Sequence, residues 1–374
     1  MKNIHLRFSQ NDRFCKVSIG KNVLFGNEIV QSCREKENSS IAIITDDIVE
    51  ELYARKLQKF LESHSLKTHI FSFPSGEKEK NRKTKENLED RMLKKKIGRE
   101  CCILALGGGV VTDLAGFIAA TYCRGVPLIL CPTTLLAMVD ACIGGKNGLN
   151  TPIGKNLIGS VYQAKNIFID TKTLQTLPRM ELENGLAETI KHGLIASEPH
   201  FAFLEKHAQE LLRLNEEGLE KTIFDSICIK QKIVEEDERE NGKRSLLNCG
   251  HTIGHAIETL SNYLVPHGKA VAIGILAEAY LAKQLKSLSS PSFERIKNIF
   301  KLFDISLSIE KFPPPPQMIK AMAMDKKSLH TIPRFVILDK IGSPKSFGSQ
   351  YCASVEEKKL YNALEWMTHA LHSC

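Results

Sequence analysis

Short apolar runs rich in β-branched residues alternate with helical stretches through the first half of the chain, and this alternation constrains the fold more than any other feature. Residues 41–45, 69–73, 103–106, 126–131 and 166–170 read as strands. Helical patterns separate them, including 48–64 and 83–97. Such alternation predicts an α/β domain with a parallel sheet covered on both faces. Sheets of that kind bind ligands at the carboxyl ends of their strands. After about Pro178 the pattern changes to long helical periodicity over 181–196, 200–214, 219–237, 250–260 and 269–286. A loop at 287–292 and a proline run at 313–316 interrupt it, and 335–338 reads as a short late strand. The expectation is a nucleotide-binding α/β domain over 1–178 and a mainly α-helical domain over 179–374, with no internal repeat.

Composition narrows the function classes. A length of 374 residues accommodates two domains, and 43% hydrophobic with 25% charged residues argues against disorder. No apolar run reaches the roughly 20 residues of a membrane span, and residues 1–10 lack the apolar core of a leader, so export is not expected. The 11 cysteines are an odd number without a Cys-x-x-Cys pair, so neither a zinc ribbon nor a thioredoxin-type site is suggested. Cys101, Cys102 and Cys131 sit in apolar runs and suit a reducing cytoplasm. The net charge of +8 invites a nucleic-acid reading, but the basic stretch 78–96 is interleaved with Glu79, Glu86, Glu89 and Asp90. That mixture is the solvated face of a helix, and the basic balance suits an anionic small molecule instead.

Three turns look suited to anions. Leu106 ends a strand, and Gly107, Gly108, Gly109, Val110, Val111, Thr112 and Asp113 lead into a helix. Glycines there let a ligand approach the backbone closely, and a helix start offers free N–H groups to phosphate. The run is not the Gly-x-Gly-x-x-Gly fingerprint of dinucleotide-binding folds. Asp113 is a candidate helix cap, or a group that orders a ribose or a neighbouring side chain. Pro132-Thr133-Thr134 with Asp140, then Gly144-Gly145-Lys146 and Gly154-Lys155-Asn156, read as a phosphate and carboxylate pocket at adjacent strand ends.

The helical half carries a metal-like cluster. His251 and His255 lie four apart, on one helix face, and His267 follows after a short loop. Upstream, Glu188 and Lys191 share a helix face. A carboxylate with two or three imidazoles suits a divalent ion, with zinc first. Spacing leaves open whether His251 and His255 both bind. Between these groups lie Lys230, Asp237, Glu238, Arg239, Glu240, Arg244 and Asn248, a run that leads directly into the histidines.

As a set these motifs resemble the 3-dehydroquinate synthase family of sugar-phosphate cyclases, over about residues 41–342. The resemblance rests on the order and spacing of 107–113, 124–126, 132–140, 144–146, 154–156, 185–191, 237–244, 246–255, 267–268 and 325–327. It implies an N-terminal NAD-binding domain, a C-terminal helical domain, an active site in the cleft between them and a homodimer. The implied cofactors are catalytic NAD and Zn2+ (or Co2+), held by Glu188, His251 and His267. NAD would meet Asp46, Ser75, Gly76, Glu77, Lys78, Glu79, Lys80, Gly108, Gly109, Val110, Val111, Thr112, Asp113, Thr133, Thr134, Thr173, Leu174, Gln175 and Thr176. Lys146 and Lys155 would lie near both NAD and substrate. Arg124, Asp140, Asn156 and Lys326 would bind substrate, with Lys146, Lys191, Lys230, Arg244, Asn248 and His255 catalytic. His255 therefore moves from candidate ligand to a place beside the substrate.

The implied reaction converts 3-deoxy-arabino-heptulosonate 7-phosphate to 3-dehydroquinate through oxidation at C5, β-elimination of phosphate, re-reduction, ring opening and aldol closure. Departures from the family pattern are Ile48 at a common polar contact, Thr112 for glycine, Ala141-Cys142 for a serine pair and Asn147 for threonine. A related inosose- or valiolone-forming cyclase and a metal-dependent polyol dehydrogenase are the competing enzymes. A cofactor-binding protein without turnover is a rival of another class, disfavoured by the complete metal, lysine and arginine sets.

Overall fold

The computed structural model describes all residues except 9–12, 35–39, 239, 241, 325–331, 349 and 372–374. Two compact units emerge, Met1–Pro178 and Arg179–Cys374.

The first unit is built on a seven-stranded sheet of order β1-β2-β9-β6-β5-β3-β4. Its strands are β1 Lys2–Phe8, β2 Arg13–Gly20, β3 Ser40–Asp46, β4 Lys67–Phe73, β5 Cys102–Gly107, β6 Leu128–Pro132 and β9 Asn166–Asp170. Pairing is parallel from β2 to β4, and β1 joins antiparallel at one edge. β5, β6 and β9 are buried along their whole length, which is why their sequences are unbroken apolar runs. Edge strand β4 mixes buried and half-buried positions, with Lys67 exposed. Helices α1 Asn27–Cys33 and α3 Arg55–Ser63 bury Ile29, Leu57 and Leu61 against Ile41, Ile43, Leu104 and Leu106. Outside that cluster, α5 Gly109–Thr121 packs on β5 and β6, so both faces carry helices.

Several local features differ from the sequence reading. The hairpin β1–β2 was not anticipated, although its buried Ile4, Leu6, Cys15, Val17 and Ile19 follow the two-residue period of a strand. The helix expected over 48–64 is a short α2 Asp47–Val49, a π turn Glu50–Ala54 and then α3. The basic stretch is α4 Arg82–Lys94, which buries only Thr84, Leu88 and Met92. Among the described residues no cysteine is in a disulfide. Burial pushes the Cys15, Cys33 and Cys101 thiols up to about 12, and Cys102 and Cys131 well above their ordinary value. They stay protonated and act as small apolar side chains.

The second unit is helical: α6 Arg179–Ala196, α7 Glu198–Leu212, α8 Glu216–Glu236, α9 His251–Leu260, α10 His267–Gln284, α11 Ser290–Leu302, α12 Pro315–Met324 and α13 Glu357–Ala370. The segment expected as a loop at 287–292 contains the start of α11. Ser289 caps it by accepting from the Ser292 amide at 3.2 Å, and Pro291 sits in the first turn, where no N–H is needed. The same tolerance lets α12 begin at Pro315 inside the proline run. The late strand lies slightly downstream of 335–338, as β10 Leu338–Lys340 paired with β11 Ser343–Pro344, while Phe335 bridges to Ala353. No helix among the described residues is long and apolar enough to cross a membrane.

Helix α10 is buried on all sides from Ala270 to Ala282 except at Tyr280 and contacts α6, α9, α11 and α13. Such a helix is the centre of a helical domain, not its surface. Glycines set its distance from its neighbours. A Cβ on Gly274 would lie 2.0 Å from the Gly250 carbonyl oxygen, and one on Gly268 would lie 2.3 Å from Asn184 Cα.

Between α7 and α8, buried His200 has Nδ1 3.7 Å from Asp225 and Nε2 3.3 Å from the Ser226 hydroxyl. Burial acts to raise the Asp225 carboxyl, but His200 and Lys221 together hold it below the usual range. A depressed carboxyl stabilises the fold above the unfolded value, about pH 4, and that contribution is lost as pH falls through the folded value. Asp225→Asn is therefore expected to cost about 1 kcal/mol at pH 7. Urea unfolding at pH 7 and pH 3 checks this, since the difference from the parent should close at the lower pH.

Candidate active site

Glu188 lies in the middle of α6 and is fully buried. Its Oε1 is 3.6 Å from His251 Nε2 and 3.8 Å from His267 Nε2, and Oε2 pairs with Lys191 one turn on. The potential ligand atoms of Glu188, His251 and His267 lie within 4.8 Å of one another. Oε1 has no hydrogen-bond donor among the described residues, a costly state for a buried carboxylate unless a cation completes it. The imidazoles are oriented from behind. His251 Nδ1 lies 3.1 Å from the Cys249 carbonyl and His267 Nδ1 lies 3.3 Å from Glu258 Oε2. With Nδ1–H donated to these oxygens, each Nε2 presents its lone pair toward Glu188. The donor set fits a divalent ion such as zinc or cobalt.

Local sequence explains how the three meet. Gly250 has φ 78°, a left-handed turn that swings the chain into α9 with His251 as its first residue. His267 opens α10, and the next residue, Gly268, lies against α6, where its amide donates to Asn184 Oδ1 at 3.0 Å. Asn184 is one turn before Glu188 on the same helix. His255 belongs to a different trio, with Glu258 and His267.

The acidic run upstream of the histidines folds in on itself. Asp237 Oδ2 accepts from the Gly242 amide at 2.7 Å and the Arg244 amide at 2.9 Å. Buried Arg244 donates to the Glu238 carbonyl, and Asn248 donates to Glu240 at 2.7 Å. Lys230 is buried on α8. Lys326 and Arg239 lie outside the described residues.

In the first unit, the residues expected to hold the nucleotide gather after the carboxyl ends of the strands. Asp46 ends β3 and caps α2, accepting from the Val49 amide at 2.8 Å. Ser75, Gly76, Glu77, Lys78, Glu79 and Lys80 follow β4, Gly108 to Asp113 follow β5, and Thr133 and Thr134 follow β6. Thr173, Leu174, Gln175 and Thr176 lie in the 3₁₀ turn after β9. The cap position of α5 is Gly108, so Asp113 is not the cap; it pairs with Lys80. Burial pushes the Asp113 carboxyl up, and Lys80 opposes that shift. Thr112 turns its hydroxyl back to the Gly109 carbonyl at 3.1 Å. Ile48 is exposed.

The reading of Lys146 and Lys155 as ends of adjacent sheet strands is corrected. They belong to a separate antiparallel hairpin, β7 Lys146–Thr151 and β8 Gly154–Val161. Asn147 anchors this hairpin, donating to the Gly145 and Tyr162 carbonyls at 2.8 and 3.0 Å. Its Oδ1 occupies the space a side chain on Gly116 of α5 would need. Asn156 accompanies Lys155 on β8 with φ 54°. Arg124 is exposed in a tight 3₁₀ turn after α5, and Asp140 lies in the π turn Ala137–Ala141. Glu258 escaped the sequence reading, although it lies three residues after His255 and seven after His251, on the same helix face.

The family models of the 3-dehydroquinate synthase N-terminal and C-terminal domains match residues 70–184 and 185–328. A 3-dehydroquinate synthase of Nitrosomonas europaea is 43% identical over 302 residues, 80% of this chain and 82% of that protein. One of Thermodesulfovibrio yellowstonii is 36% identical over 92% of this chain and 96% of its own length. Among solved structures, a 2-deoxy-scyllo-inosose synthase complexed with carbaglucose-6-phosphate, NAD+ and Co2+ has a TM-score of 0.89 at 25% identity, covering 98% of this chain and 100% of its own. A 2-epi-5-epi-valiolone synthase from Streptomyces hygroscopicus, with NAD+ and Zn2+ bound, has a TM-score of 0.86 at 25% identity, covering 95% and 96%. An iron-containing alcohol dehydrogenase, at 13% identity and a TM-score of 0.63, shares the fold alone. The two matched domains and the relatives' near full-length coverage lead to one conclusion: the chain belongs to the 3-dehydroquinate synthase family.

Proposed function

We propose that this protein converts 3-deoxy-arabino-heptulosonate 7-phosphate to 3-dehydroquinate and phosphate, using NAD as a hydride carrier that is returned unchanged and a divalent metal. The observation that carries the reading is the buried Glu188 Oε1, without a donor among the described residues and facing two oriented imidazoles. Glu188, His251 and His267 would hold the ion. Bound there, the metal supplies acidity to substrate hydroxyls, and NAD supplies reversible hydride transfer.

The chain's own groups do the rest. Residues 1–178 would form the NAD-binding domain, with Gly108 and Gly109 admitting the nucleotide backbone and Lys80, Asp113, Thr133, Thr134 and Thr176 ordering it. Residues 179–374 would bind metal and substrate. Lys191 and Lys230 are buried ammonium groups able to fix anionic substrate oxygens and to stabilise charge that develops on them. Arg244, held rigidly by Glu238 and Asp237, offers a planar fork to the carboxylate or phosphate. Arg124, Lys146, Lys155, Asn156 and Lys326 would complete the anion contacts, with Asp140, Asn248 and His255 against substrate hydroxyls. We assign it to the cytoplasm as a homodimer without nucleic-acid or membrane partners, and light scattering tests the dimer.

A related cyclase is the second reading, favoured by the structural likeness to the inosose and valiolone synthases. Identity of 36–43% to 3-dehydroquinate synthases, against 25% to those two, favours the first. The expected result is phosphate release from the heptulosonate phosphate that requires NAD, stops with a chelator and returns with Zn2+ or Co2+. Turnover of glucose 6-phosphate or sedoheptulose 7-phosphate instead would reassign the substrate.

A further inference from the structure

The carboxylate of Glu258 occupies the space behind His267. Glu258 is 3% exposed on the inner face of α9, and its Oε2 lies 3.3 Å from His267 Nδ1. The side-chain atoms of His255, Glu258 and His267 that face one another lie within 4.8 Å. The two imidazoles nearest Glu188 are thus supported unequally: a backbone carbonyl stands behind His251 and a carboxyl group behind His267.

We propose that Glu258 is a positioning residue for the metal, acting through His267. The proposal rests on the reading that Glu188, His251 and His267 hold the ion. By accepting Nδ1–H, Glu258 keeps His267 in the tautomer whose Nε2 faces Glu188, and its charge makes that imidazole a stronger donor. It also answers a charge problem. Lys191 already neutralises part of Glu188 and adds a positive group beside an incoming dication. A second buried carboxylate, one imidazole away, offsets that repulsion without occupying a coordination position.

His267 is the more exposed of the two imidazoles. Both histidines open their helices without a side-chain cap, but the His267 side chain is 30% exposed against 11% for His251. A part-exposed imidazole has more freedom to rotate than a buried one, so a directed partner matters most there.

The test is metal affinity, measured by competition with a chromogenic chelator using Zn2+ and Co2+ as probes, with no substrate present. Glu258→Gln keeps the shape and an accepting oxygen but removes the charge. It is expected to weaken binding about 10–100-fold, and Glu258→Ala to weaken it further. The Co2+ absorption bands of Glu258→Gln should shift, whereas a purely structural role would lower the melting temperature of the metal-free chain and leave affinity and spectrum alone. Parent-like affinity in Glu258→Gln, with affinity lost in His267→Ala, overturns the role of Glu258 and leaves the metal reading intact. A parent chain that takes up no ion overturns the metal reading and this proposal together. Two ions per chain, one of them lost in Glu258→Gln, would make the His255, Glu258 and His267 trio a site of its own and overturn the positioning role.

Discussion

Glu188→Gln is expected to lower the rate of phosphate release by about 10³-fold, with zinc content falling in parallel. The magnitude follows from the several kcal/mol a bound ion supplies as a Lewis acid, since each 1.36 kcal/mol is a factor of ten. The substitution preserves volume in a fully buried position, so folding should survive. It does leave the Lys191 ammonium beside a neutral amide. Metal analysis and single-turnover phosphate release on the same preparation separate the two effects. A Glu188→Gln protein with full zinc and near-normal release would remove Glu188 from the ligand set.

The second large effect is expected from a contact between two backbones. In an ordinary helix interior, glycine to alanine stabilises by about 1 kcal/mol, because alanine restricts the unfolded backbone. At Gly274 the sign should reverse. An added methyl would meet the Gly250 carbonyl oxygen at 2.0 Å and the Gly254 amide nitrogen at 3.0 Å, both backbone atoms that cannot rotate away. Overpacking of this kind costs about 1–3 kcal/mol or more, so the clash outweighs the propensity gain. The strain falls on Gly250, whose left-handed turn aims His251. Gly274→Ala should therefore lower both unfolding free energy and metal affinity. Denaturant unfolding with zinc present and absent checks this, and an unchanged or raised stability would show that α9 and α10 can separate at no cost.

Much of the scaffold is legible because burial leaves a mark on composition. β3, β5, β6 and β9 are covered on both faces and carry the unbroken apolar runs from which they were read. The hairpins were not, for two reasons. β1–β2 alternates over only a few residues and is interrupted by charge. In β7–β8 much of the surface is exposed or half-buried, and its glycines imitate a ligand-binding loop. α11 hid behind Ser287 to Ser292, where serine and proline signal a turn as readily as a capped helix start.

For the site, the boundary between sequence and structure runs through α9. Helical period alone determined that His251 and His255 share a face, and that Glu188 and Lys191 share another. It could not determine which imidazole meets the carboxylate, because side chains one turn apart differ by a 5.4 Å rise and can serve different partners. That choice was made by packing: Gly268 against Asn184 brings His267 to α6, and Gly274 against Gly250 brings His251 there. Glu258 is the remainder. Its type and spacing were visible, but a buried carboxylate has meaning only once the group it faces is known, and only the docking of α10 on α9 put His267 Nδ1 before it.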